Sequence, residues 1–197
     1  MGYELAEGGF MRKTFGSGLI LFFLATLASA QAPSLGNIFA GYSYYNTDLG
    51  AERQSLNGWQ GSVEGKFFLP FIGIVADVSA NYGNLRFPIC PVTPVPLPGP
   101  CASVGVNSHV DNFLIGPRVS ITLGKVRPFA EALFGAAHVN TSGFGSDTSF
   151  STGVGGGLDY YLVHVLGVRV EADYLHSNLF NNPQQNVRIS TGVVLRL

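Results

Sequence analysis

Beyond residue 30 the sequence contains no apolar run near the roughly 20 residues that a membrane helix requires. Charge is also scarce, at 12% of the chain, although the mean hydropathy is +0.27. A helical span is therefore excluded from that stretch, and high hydrophobicity without a hydrophobic block is left to be explained. Neither sign of charge dominates: a net charge of -1 gives no electrostatic footprint for nucleic acid. Cysteine occurs only twice, as Cys90 and Cys101, a pair that is safe to oxidise in an exported protein. Methionine is rare, while glycine (26), phenylalanine (15) and tyrosine (8) are abundant, a bias that favours twisted β-structure over helix. With 197 residues and a break in composition only near its start, the chain has the length of one domain.

That start reads as a targeting segment. Met11-Arg12-Lys13 is followed by an apolar stretch from Leu19 to Leu27 and by Ala28-Ser29-Ala30 before Gln31. These are a basic region, a short hydrophobic region and a small-residue cleavage site, so residues 1 to 30 are assigned to an N-terminal extension and cleaved signal peptide. Glu4 and Glu7 precede the basic region, which makes Met11 an alternative start. The mature barrel domain is expected to run from Gln31 to Leu197.

Within it, period-two alternation predicts eight strands, at 37 to 46, 57 to 68, 73 to 85, 108 to 122, 127 to 139, 149 to 160, 167 to 178 and 187 to 197. Each is about the length of a tilted membrane strand. In the second strand Gln60, Ser62, Glu64 and Lys66 oppose Trp59, Gly61, Val63, Gly65 and Phe67. In the seventh, Arg169, Glu171 and Asp173 oppose Val168, Val170, Ala172 and Tyr174. The polar face over all strands holds the acids Glu64, Asp77, Glu131, Asp159, Glu171 and Asp173 and the bases Lys66, Arg118, Arg169, Arg188 and Arg196. The central band of the apolar face holds no charge.

This segregation points to a membrane. Lys or Arg facing lipid near the midplane costs about 2 to 4 kcal/mol, so a one-residue slip of any strand would be ruinous. The expected fold is all-β: a closed, eight-stranded, antiparallel, up-and-down transmembrane β-barrel with charges inside. Connections after strands two, four and six are short and the others long, which places both termini in the periplasm. Tyr42, Tyr44, Trp59, Tyr82, Phe113 and Tyr174 fall near the outer ends of strands, and Phe67 and Tyr160 near the inner ends, as interfacial rings do. Pro117 lies inside the fourth strand, where a bulge is expected.

The C-terminal run Ser190-Thr191-Gly192-Val193-Val194-Leu195-Arg196-Leu197 resembles the assembly signal of outer-membrane barrels, carried here by Gly192, Leu195 and Leu197. That family usually ends in Phe. With Phe39 to Tyr44, Leu56-Asn57-Gly58-Trp59, Ile74-Val75-Ala76-Asp77, Gly116-Pro117-Arg118, Pro128-Phe129-Ala130 and Gly155-Gly156-Gly157-Leu158-Asp159, the mature chain is similar to OmpA/OmpX-type barrels. The resemblance implies an integral bacterial outer-membrane protein inserted by the barrel-assembly machinery, among outer-membrane lipid and lipopolysaccharide, and expected to be a monomer. It covers the barrel only, without the peptidoglycan-binding periplasmic domain of full-length OmpA.

Candidate chemistry is thin. Eight strands leave an interior that side chains can fill, so the lumenal charges are read as a salt-bridged plug; the alternative is a narrow channel for small solutes or ions. His176 beside Ser177, with Glu171 on the same strand, resembles the lipid A deacylase set. In those barrels His and Ser are separated by one residue, whereas adjacent residues point to opposite faces. A lipid-modifying hydrolase is thus the least favoured reading, and no catalytic residue or cofactor is assigned. His109, His138, His164 and His176 lack ligand spacing, so no metal site is assigned. The proline-rich loop from 87 to 106, stapled if Cys90 and Cys101 pair, suits either an extracellular protein partner or resistance to proteases.

Overall fold

The computed structural model describes residues 35–48, 53–89, 102–143 and 145–197. The segment 1 to 30, Cys90 and Cys101 lie outside the described residues, as does the side chain of Phe67. Eight strands follow in chain order: β1 (Gly36–Thr47), β2 (Gln54–Leu69), β3 (Ile72–Ile89), β4 (Ala102–Ser120), β5 (Val126–Thr141), β6 (Gly145–Tyr161), β7 (Leu166–Ser177) and β8 (Gln184–Arg196). Each pairs antiparallel with its chain neighbours, and β1 also pairs with β8, closing the barrel. Among the described residues no helix is long and apolar enough to cross a membrane.

Closure follows from the alternation. Along β7 exposed and buried residues alternate without a slip, so every second side chain is committed to the interior. The outward set includes Ile74, Val63, Ile115, Phe134, Val154, Val170, Ile189 and Val193, all exposed. Tyr42, Trp59, Tyr82, Phe113, Tyr160 and Tyr174 share that outer surface. Water would not tolerate such an exterior; hydrocarbon demands it.

The closing seam pairs residues 37–46 of β1 with residues 187–196 of β8. There Gly41 lies opposite Gly192, and a Cβ on Gly192 would come within 2.3 Å of both the Ala40 carbonyl oxygen and the Gly41 Cα. Gly192 thus lets the terminal strands approach.

β2, β6 and β8 begin three or four residues before their expected outer ends, and the strands differ from expectation at two further places. β3 continues to Ile89 and β4 begins at Ala102, so much of the predicted 87–106 loop is strand. Residues 85–89 and 102–106 pair only with each other, forming a two-stranded ribbon beyond the barrel ladders. A hairpin paired on one side carries β-residues as well as polar ones, and the prolines masked that signal. Pro117 introduces no bulge. Its pairing with Ile74 continues on the β3 side, and on the β5 side the ladder lapses between Ile115 and Arg118 with register unchanged. A missing N–H deletes one ladder bond without requiring an extra residue. The register shift falls instead between Lys66 and Leu69 of β2, beside the turn at Pro70.

Candidate functional site

The interior is filled in two storeys. Toward the long-loop end, Tyr45, Leu56, Leu85, Val110, Leu114, Leu133, Val139, Leu175 and Leu179 belong to one buried apolar cluster. Leu179 comes from the β7–β8 loop, in a short 3-10 turn (Leu179–Asn181) where Phe180 takes φ 53°. Non-glycine residues seldom adopt that conformation, and it occurs beside the residue that joins the apolar cluster. This cluster was not legible in the alternation, because apolar residues on the lumenal face look like lapses in a polar pattern.

Below it lies an ionic layer built from two ladders of directly opposed residues. The lower runs Arg127, Asp159, Arg169 across β5, β6 and β7. Arg169 donates from Nε to Asp159 Oδ1 at 2.6 Å, and Arg127 Nη1 donates to Asp159 Oδ2 at 3.2 Å. Glu64 reaches across from β2 to bond Arg127. The upper ladder runs Arg118, Glu131, Gly155, Asp173, Arg188 from β4 to β8. Arg118 Nε donates to Glu131 Oε2 at 2.5 Å, Arg188 Nε to Asp173 Oδ2 at 2.9 Å, and Arg188 Nη1 to Asp77 Oδ1 at 2.6 Å. Glu171 lies between the ladders, within 3.5 Å of Arg169 and 3.3 Å of Arg118.

Space for these groups comes from β6. A Cβ on Gly155 would sit 1.9 Å from Asp173 Oδ1, and one on Gly157 would sit 2.7 Å from the Phe129 ring. Phe129 in turn lies between two guanidiniums, 4.3 Å from Arg118 and 4.5 Å from Arg169. Ring faces offset part of the desolvation that burial imposes on these cations.

Two of the residues read as lumenal charges stay out of the layer. Lys66 is half-buried at the short-turn end and donates to the Pro70 carbonyl at 2.8 Å. Arg196 stacks over Tyr161 at 3.7 Å. Both stand near strand ends, where water and turn carbonyls compete for them. Conversely, Arg127 was overlooked although it is fully buried. Its place at a strand start hid it, yet its parity with Glu131 put it on the lumenal face. Of the C-terminal residues, Leu195 and Leu197 are exposed on the outer side.

Ser177 is buried, with its Oγ accepting from Asn186 Nδ2 at 3.4 Å, while His176 points outward. Nucleophile and base are thus on opposite sides of the wall. Outside, near the long-loop end, His109 Nε2 lies 2.7 Å from Asp111 Oδ1 and its ring stacks on Tyr82. His138 Nδ1 lies 2.7 Å from Thr148 Oγ1.

No family model matches the chain, and no curated protein matches it by sequence. Solved structures do match by shape. Neisserial surface protein A (NspA) aligns with a TM-score of 0.63 at 11% identity, over 85% of this chain and all of that one. Ail, the attachment invasion locus protein of Yersinia pestis, aligns with a TM-score of 0.54 at 16% identity, over 84% of this chain and 100% of its own. OprG from Pseudomonas aeruginosa gives 0.51 at 9% identity, over 83% of this chain and 97% of its own. The fold is that of bacterial outer-membrane barrels of the OmpA/OmpX type.

Proposed function

We propose that this protein is a non-enzymatic outer-membrane barrel that supports membrane integrity and presents its extracellular segments, above all the β3–β4 ribbon, to a partner outside the cell. The filled lumen carries the reading: an apolar cluster lies over an ionic layer, so solutes have no wet path. Among the described residues the ribbon tip, 87–89 with 102–104, is strand-paired on one side only, and an extended segment of another protein can pair on such an edge. In this reading the barrel is a monomer among outer-membrane lipid and lipopolysaccharide, inserted by the barrel-assembly machinery. One structure of Ail holds the heparin analogue sucrose octasulfate. A polyanion needs a basic surface, and the described long-loop end here sets Arg53 and Arg86 against Asp48, Asp111 and Asp147. The partner we infer is therefore a protein segment.

Planar-bilayer recording and liposome swelling test the closed lumen: no stable conductance and no sugar-driven swelling are expected. Steady conductance would make this a channel. Cells whose barrel lacks the ribbon are expected to keep detergent resistance and to lose surface attachment.

A further inference from the structure

The two ends of the barrel differ in polarity and in charge. At the long-loop end the strand tips expose polar residues, among them Asn140, Ser142, Ser146 and Asn178, and the charges are mixed: Arg53 and Arg86 stand with Asp48, Asp111 and Asp147. At the short-turn end, which faces the periplasm, the turns themselves are apolar. Phe71, Leu123, Leu162, Val163 and Val165 are 43 to 60% exposed. They continue the lipid-facing surface without a polar collar, since Leu158, Tyr160, Leu166 and Val168 on the adjoining strands also point outward. In water such turns would be a liability; at the membrane boundary they are stabilising.

The charges left over at this end are all basic. Lys66 and Arg196 are half-buried and Lys125 is exposed between β4 and β5. Among the described residues none of the three forms an ion pair: Lys66 bonds a turn carbonyl and Arg196 stacks on a ring. Glu64 and Asp159, the acids of the lower ionic layer, are buried and bonded to Arg127 and Arg169, so they do not neutralise these three. Two hydrogen bonds bring cation and apolar turn together. Tyr161 N donates to the Lys125 carbonyl at 2.8 Å and Arg196 N to the Val165 carbonyl at 2.7 Å, so the turn of residues 162–165 has Lys125 on one flank and Arg196 on the other.

We infer that this end of the barrel is a seat for anionic phospholipid in the periplasmic leaflet. The turn 162–165 lies at the boundary of the acyl chains, and exposed Lys125, with Arg196 adding to the positive field, draws the phosphate of a phosphatidylglycerol-type headgroup. A zwitterionic phospholipid satisfies the apolar turn but leaves the charge unmatched. An acidic periplasmic protein would match the charge, but the unbroken apolar surface from strand to turn favours lipid.

The experiment uses the whole barrel refolded in vesicles of phosphatidylcholine with a minor share of phosphatidylglycerol, its folding checked by heat-dependent mobility on gels. Trace spin-labelled forms of the two lipids report how much of each the protein immobilises. Wild type is expected to hold phosphatidylglycerol at least ~3-fold more strongly at low salt, and added salt to erase the difference by screening. Lys125→Gln, in a turn outside the strands, is expected to lower that ratio at least ~2-fold, and Arg86→Gln at the other end to leave it unchanged. Val163→Trp combined with Trp59→Phe leaves one indole, which is expected to be quenched by brominated phospholipid and little by aqueous acrylamide. Equal immobilisation of the two lipids by the wild type overturns the proposal, and that result stands even if a variant fails to fold. A ratio that survives Lys125→Gln, or that falls with Arg86→Gln instead, overturns it equally. An indole at 163 open to acrylamide overturns it in favour of a periplasmic protein.

Discussion

At the residue scale the barrel depends on arginines that could not be replaced singly. Arg127 is fully buried and joins Glu64, Asp159 and Ser120 Oγ, the last at 2.7 Å. Arg127→Met fits the volume but leaves carboxylates without their counter-ion. Breaking a buried pair in this way costs about 3 to 5 kcal/mol, measurable by urea unfolding in lipid vesicles. A loss below about 1 kcal/mol, the value of an exposed pair, would show that the guanidinium is not the counter-ion described. Such partners could not be read from the sequence. Alternation gave the side of the wall for Asp159 and Arg169, but which acid meets which base depends on the stagger of strands distant in the chain. Glu64 and Arg127 are 63 residues apart and meet across the lumen.

Single strands contribute unequally. β6 supplies absence of volume: Gly153, Gly155 and Gly157 line the lumenal side, and Leu175, Asp173 and Phe129 occupy the space. The terminal strands supply closure, and at their opposed glycines, Gly41 and Gly192, a side chain on either would meet the facing backbone. Gly192→Val is expected to prevent β8 from seating on β1, so the variant should lack the compact, heat-modifiable gel species formed by wild type in detergent. If that species forms normally, the backbone approach at Gly41 is not needed for closure. The existence of all eight elements was legible because each alternates over enough residues to fix its faces. Their upper ends were not, since beyond the hydrocarbon nothing forces alternation: Asn84, Arg86 and Asn107 are exposed strand residues in polar surroundings.

The whole molecule inverts the usual globular arrangement, with its apolar surface outside and its charges within. This makes the cost of a charge depend on depth. Val170→Arg, on the outer face in mid-strand, is expected to lose about 2 to 4 kcal/mol, whereas Phe150→Arg, near the long-loop end, should lose about 1 kcal/mol or less. Equal losses in vesicle unfolding would contradict the depth assigned to these two sites. The inversion was legible from where charges are missing. The apolar upper storey was not, because Leu114, Leu133 and Leu175 face the same side as the ionic residues of their strands.

The ribbon of β3 and β4 stands apart from both constraints. Leu85 and its partner Val106 are the buried apolar pair at its base, and beyond them no barrel ladder holds the strands among the described residues. Mutations there can accumulate without penalty to the cylinder, so related strains should diverge first at this tip, and foreign peptides can be grafted onto it for display.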